Sequence, residues 1–138
     1  MRPDWRLAVA VGLGGALGSV ARYLLGTLIQ TRTTGTFPVA TLIINVSGSL
    51  LLGFLMQFGL ETRSVSPEMR LFLTTGFCGG YTTFSTFSYE TVVLLQAGAY
   101  LRAGLYMLSS VFLSLTGTIL GIAGAKRFVV HRRATGRS

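Results

Sequence analysis

Residues 76–90 read GFCGGYTTFSTFSYE. They lie in the middle of an apolar run, residues 71–97, whose only acid is Glu90. About 20 apolar residues suffice for a helix to cross a bilayer, and this run is long enough. Its centre, however, is built from poor helix formers. Gly79 and Gly80 are adjacent and Thr82 and Thr83 follow, whereas Gly costs about 1 kcal/mol relative to Ala within a helix. Inside lipid an interrupted helix is tolerated only where it is buried in protein or lines a cavity. The stretch therefore predicts a membrane helix with a break. Two readings of the break are open. It is a plain glycine kink, or it frees carbonyls of Cys78, Gly79 or Thr82 for a hard monovalent cation such as Na⁺.

Just past the break, Phe84 and Phe87 are three residues apart and share a helix face. Such a pair is ordinarily lipid-facing or core bulk. Ser85, Thr86 and Ser88 around it make the stretch more polar than a lipid face requires. An aromatic ring is negative on its face and positive at its edge. Ring edges can thus attract a small anion weakly and release it readily, the balance that conduction needs.

Three further apolar spans surround this one: residues 7–29, 37–60 and 103–125, joined by short connectors. Arg2 and Arg6 before the first span suggest a signal peptide, but the apolar stretch outruns a signal core of about 7–15 residues. The whole chain, residues 1–138, reads as one four-span membrane domain with a basic tail over residues 126–138. Composition agrees. Of 138 residues, 50% are hydrophobic and 12% charged, against about 25% charged in soluble domains; mean hydropathy is +0.60.

Net charge is +8 and the isoelectric point near 10.9, values that often signal nucleic-acid binding. That reading needs an exposed basic surface with base-stacking aromatics. The tail KRFVVHRRATGR, residues 126–137, is more simply a flank that stops translocation and meets anionic lipid, so no nucleic-acid partner is expected. Inventory also removes most enzyme classes. Cys78 and His131 are single, too few for a disulfide framework or a zinc site. The four acids are scattered, and His131 lies in the tail, away from any triad.

With four spans, both termini share one side. That side holds nine of the basic residues; the other holds only Arg32 and Arg102, with Arg22 inside the membrane. The excess places the termini in the cytoplasm. Without the five basic residues of the tail it falls to four against two.

Glycine spacing points to close helix packing. Gly14, Gly18 and Gly26 recur every four residues with Arg22, and Gly117 and Gly121 repeat the pattern in the last span; small residues so placed let membrane helices approach closely. Arg22 itself, roughly 10 Å inside its span at 1.5 Å per residue, has two readings. It snorkels to the interface, or it lines an aqueous vestibule that favours anions. Thr41, Asn45 and Ser49 share one face of the second span, and Tyr106, Ser110, Ser114 and Thr118 one face of the fourth. These groups either bond neighbouring helices or replace water around an ion. All can donate, which suits an anion. Four short spans enclose little interior, so a polar path forms more easily between two copies.

Taken together, GGYTTFSTFSYE, the upstream INVSGSLLLGF and the first-span GALGSVARY closely resemble the Fluc (CrcB-type) fluoride channel family, over residues 7–126. The resemblance implies an all-α membrane protein of four transmembrane helices, the third broken, paired as an antiparallel, inverted homodimer in the bacterial cytoplasmic (inner) membrane. It implies a passive exporter of F⁻, with two pores along the subunit interface, that confers fluoride resistance without catalysis. By match of motif, Phe84 and Phe87 would form an aromatic box and Asn45 a pore-lining amide. Ser110 and Ser114 would form a polar track with Tyr106 near it, and Ser85 and Thr86 would offer hydroxyls along the path. Arg22 would sit at a vestibule, and Glu90 with Thr41 would form a polar cluster at a pore end. Carbonyls of Gly79 and Thr82 would hold a structural Na⁺ on the dimer axis. Dual insertion calls for balanced charge, which the nine-to-two count opposes. A rival reading is a small proton-coupled exporter of organic cations with Glu90 as its carboxylate, although Arg22 would repel such a substrate. A non-transporting scaffold, in which the glycine faces and Phe pair are all packing, is a third.

Overall fold

The computed structural model describes residues 4–62 and 65–136. Arg2, Arg63 and Arg137, counted above as orientation signals, lie outside the described residues. Helix α1 spans Trp5–Gln30, α2 Val39–Glu61 and α3 Pro67–Leu71. A π-helical stretch, Phe72–Cys78, leads into α4, Gly79–Tyr81. After a two-residue gap come α5, Phe84–Gln96, and α6, Tyr100–Ala134. No strand occurs among the described residues. Helices α1, α2 and α6 are each long and apolar enough to cross a membrane, which makes this a multi-pass membrane protein. The run over residues 71–97 is helical but divided, so none of its pieces meets that length.

Local signals set the ends. Asp4 caps α1 by accepting from Arg6 N at 2.9 Å, and Ser66 caps α3 by accepting from Met69 N at 3.2 Å, with Pro67 at the first helical position. Gly98, at φ +71°, lets Ala99 N reach back to Leu94 O at 2.9 Å and close α5 against α6.

Helix packing is backbone on backbone. A Cβ on Gly14 or Gly18 of α1 would collide with the carbonyls of Phe72 or Phe77. One on Gly76 would lie 2.7 Å from Val11 O. On the other side of the molecule, Gly53 of α2 abuts the backbone of Thr118, and Gly121 of α6 abuts that of Leu50. Lipid offers no hydrophobic drive for helix association, so van der Waals contact at this range supplies it.

Helix α6 continues nine residues past the expected end at 125, to Ala134, and is roughly 52 Å long at 1.5 Å per residue. The extension is docked, not free. Ala125 and Val129 are buried, and Phe128 packs on Phe54 and Phe58 at 6.2 and 6.1 Å. Arg133 Nη2 donates to Glu61 O at 3.1 Å, and Arg70 Nη2 to Gly59 O at 3.1 Å. Two guanidinium groups therefore satisfy the last carbonyls of α2, where both hydrogen bonding and the helix dipole favour a cation. Basic residues that read as orientation signals in the sequence thus also hold this end of the bundle together.

Candidate functional site

The site begins at the gap between α4 and α5. Thr82 (φ −83°, ψ 160°) and Thr83 (φ −152°, ψ 115°) are extended. Thr82 turns back on the preceding helix, its N–H and its hydroxyl each donating to Cys78 O at 2.9 Å. Thr83 caps α5, its Oγ1 accepting from Thr86 N at 3.2 Å. The Thr83 backbone is held by Asn45 of α2. Nδ2 donates to Thr83 O at 3.0 Å, and Thr83 N donates to Oδ1 at 2.8 Å.

The break takes the i+4 donors from the carbonyls of Gly79, Gly80, Tyr81 and Thr82, of which Gly80 O is met by the Ser19 hydroxyl at 3.4 Å. In an unbroken helix Thr83 N would donate to Gly79 O, and Thr86 N to Thr82 O. Here those donors go to Asn45 and to the Thr83 hydroxyl. Gly79 is exposed, with open space where a side chain would stand. Gly79 O and Thr82 O are thus among the carbonyls that lose their usual donors, whereas Cys78 O, the third oxygen named from the sequence, accepts from both the N–H and the hydroxyl of Thr82.

Beside the break lies a groove of about 350 Å³, lined by Asn45, Ser49, Thr82, Thr83, Phe84, Phe87, Ser110 and Ser114 together with apolar residues. Phe84 is 79% exposed and Phe87 half-buried; their rings are 5.5 Å apart and tilted by 44°. The Ser110 hydroxyl is buried and has no hydrogen-bond partner among the described residues. An orphan of this kind costs about 1–3 kcal/mol and is uncommon in native proteins.

At one end of the groove Phe87 packs on Tyr106, 5.2 Å between rings. Tyr106 is fully buried, and its hydroxyl donates to Glu90 Oε2 at 2.6 Å. Thr41 Oγ1 donates to the other oxygen, Oε1, at 2.9 Å. Beyond Glu90 a second cavity, about 650 Å³, opens between the α1–α2 and α5–α6 connections; Gln30, Thr36 and Arg102 also line it. Polar side chains therefore run from Ser114 through Ser110 and Tyr106 to Glu90, between two cavities.

A match covering residues 9–122 links the chain to the family described as "CrcB-like protein, Camphor Resistance (CrcB)". The chain belongs to the CrcB family. Relatives agree over most of their length. A protein of Rhizobium meliloti (strain 1021) is 49% identical over 113 residues, covering 82% of this chain and 90% of that one. One of Chlorobium chlorochromatii (strain CaD3) is 47% identical over 116 residues, covering 84% and 89%. One of Geobacter sulfurreducens (strain ATCC 51573 / DSM 12127 / PCA) is 48% identical over 119 residues, covering 86% and 96%. All three are named "Fluoride-specific ion channel FluC". The CrcB family is one of ion channels, and this chain is not an enzyme.

Within this CrcB chain the residues singled out by sequence fall into three groups. Asn45, Phe84, Phe87, Ser110 and Ser114 meet at the groove. Thr41, Tyr106 and Glu90 form the hydrogen-bonded cluster beside it. Ser85 and Thr86 are outside the groove lining; their hydroxyls lie 3.2 and 3.0 Å from Thr83 Oγ1. Arg22 stands apart on α1, half-buried and without a hydrogen bond or ion pair among the described residues. Thr118, whose hydroxyl meets Ser49 O and Ser114 O at 3.4 and 3.1 Å, joins helices. Thr83 was missed as a site residue, although a Thr just ahead of a new helical run is an N-cap signal. Both Glu90 oxygens are engaged by neutral hydroxyls.

Proposed function

We propose that this CrcB-family chain is a fluoride-selective channel that exports F⁻ passively from the bacterial cytoplasm. It works as an antiparallel homodimer with two pores at the subunit interface. One observation carries the reading: the buried, unpartnered hydroxyl of Ser110 in a groove walled by Phe84 and Phe87. F⁻ must exchange its hydration for donors of comparable quality. Ser110 offers a hydroxyl, Ser114 another, and Asn45 the second hydrogen of its Nδ2. Ring edges of the two phenylalanines add weak attraction without a fixed charge. The Thr41–Tyr106–Glu90 cluster stands at one pore end, Ser85 and Thr86 flank the path, and Arg22 concentrates anions at a vestibule.

Four crossings make up each subunit, the third in the pieces α3 to α5. A second, inverted copy would cover Phe84, left bare by a single chain. The neutral carbonyls of Gly79 and Thr82 fit a hard monovalent cation, and paired copies would present four such oxygens. A bound Na⁺ would supply fixed positive charge and hold the two breaks together. The nine-to-two basic count opposes equal insertion in both orientations, but without the five basic residues of the tail it falls to four against two. Export needs no energy source. HF enters as a neutral acid, dissociates at neutral pH and leaves as the ion down its gradient. A bacterium stripped of its own fluoride export should regain growth in fluoride when it expresses this chain. Unchanged sensitivity, with the protein present in the membrane, would contradict the reading.

A further inference from the structure

The break is anchored at more than Asn45. Tyr81, the last residue of α4, is buried and stacks on Phe77, 6.0 Å between rings and 7° between planes. Its hydroxyl lies 2.9 Å from Ser47 Oγ on α2. Ser47 Oγ donates its single hydrogen to Ile44 O at 3.1 Å, so Tyr81 is the donor of the pair and the chain runs Tyr81 to Ser47 to Ile44 O. Gly48 lies alongside. A Cβ there would collide with the Thr82 methyl and sit 3.0 Å from Tyr81 Cδ1. Three successive residues of the break are therefore seated on one short stretch of α2: Tyr81 on Ser47, Thr82 on Gly48 and Thr83 on Asn45.

We infer that Tyr81 and Ser47 are a positioning pair that sets where the third crossing breaks, and thereby where Phe84 and the Gly79 and Thr82 carbonyls point. Asn45 alone fixes a single residue and leaves the end of α4 free to wind one residue further. Tyr81 held at its tip stops that winding, because rotating Tyr81 about the helix axis would pull its hydroxyl off Ser47. Neither residue lines the groove, so the pair acts through the break and not on the ion. The link to conduction rests on the channel reading above; the anchoring does not.

A double-mutant cycle tests the pair in the full-length, detergent-solubilised protein. The variants are Tyr81→Phe, Ser47→Ala and both together, read by amide hydrogen exchange over residues 79–86 and by fluoride efflux from liposomes. Each single change removes one hydrogen bond and should speed exchange there by up to about tenfold. The double variant should be no faster than the singles, since they lose the same contact. Exchange near Gly117 and Gly121 should stay unchanged, efflux should fall in step, and Ser47→Thr should behave as the parent. Unchanged exchange over 79–86, multiplicative singles, or equal acceleration in α6 would overturn the anchoring. Altered exchange with parental efflux would overturn the positioning role. A parent that carries no fluoride would defeat the channel reading instead, and the exchange cycle would still decide the pair.

Discussion

The side-chain amide of Asn45 brackets the backbone of Thr83, donating to its carbonyl at 3.0 Å and accepting from its N–H at 2.8 Å. One polar side chain thus replaces both helical bonds that Thr83 gives up, in a region where lipid offers no substitute. Asn45→Ala leaves a buried donor and acceptor unpaired and is expected to cost about 3 kcal/mol, read as a loss of melting temperature in detergent. Asn45→Asp keeps the acceptor for Thr83 N but loses the donor to Thr83 O. It should abolish fluoride efflux, because it places a negative charge on the groove.

The two groove phenylalanines should separate by stability. Phe84 is 79% exposed in a single chain, so Phe84→Ile should spare the packing within the subunit and weaken only its contact with a second copy. Phe87 packs on Tyr106 and on the cluster of Leu94 and Ala103. An aromatic pair is worth about 0.5–1.5 kcal/mol beyond area, and Phe87→Ile should lose about that much. Both should cut fluoride efflux strongly. Two variants that conduct normally would remove the ring edges from the mechanism.

Gly18 and Gly12 lie on the same helix in opposite surroundings. A Cβ on Gly18 meets the Phe77 carbonyl, whereas one on Gly12 meets nothing within 4 Å. Gly18→Ala should separate α1 from the third crossing and yield little folded protein by size-exclusion chromatography. Gly12→Ala should be neutral, or more stable by up to about 1 kcal/mol through helix propensity.

Tyr106→Phe keeps the ring packing and deletes the 2.6 Å bond to Glu90. Leaving the buried side of that carboxylate without its donor should cost about 1–3 kcal/mol, measured by thermal melting. Parental stability would show that water replaces the hydroxyl.

Much of this was legible in the sequence because lipid makes the rules few. Apolar length marked α1, α2 and α6, and adjacent Gly79–Gly80 followed by Thr82–Thr83 marked the break to within two residues. Spacing of four put Thr41 with Asn45, and Tyr106 with Ser110 and Ser114, and these faces do meet at the groove and the Glu90 cluster. What spacing could not supply was the partner of each group. Asn45 read as an amide facing the path, yet two of its bonds are spent on Thr83. Ser85 and Thr86 read as path hydroxyls, yet both turn toward Thr83 Oγ1. The extension of α6 was hidden because its basic residues masked Val129, which is buried, and Phe128, which packs on Phe54 and Phe58 of α2. The π-helical stretch over Phe72–Cys78 has no local signature in residue type.

The central claim is selective passage of fluoride, and flux from liposomes tests it most directly. Purified protein is reconstituted into vesicles loaded with F⁻ or with Cl⁻, and an ionophore for the counter-cation then relieves the electrical constraint. The account predicts rapid release of F⁻ and none of Cl⁻ above protein-free vesicles. Absence of F⁻ release, or equal release of Cl⁻, would contradict it.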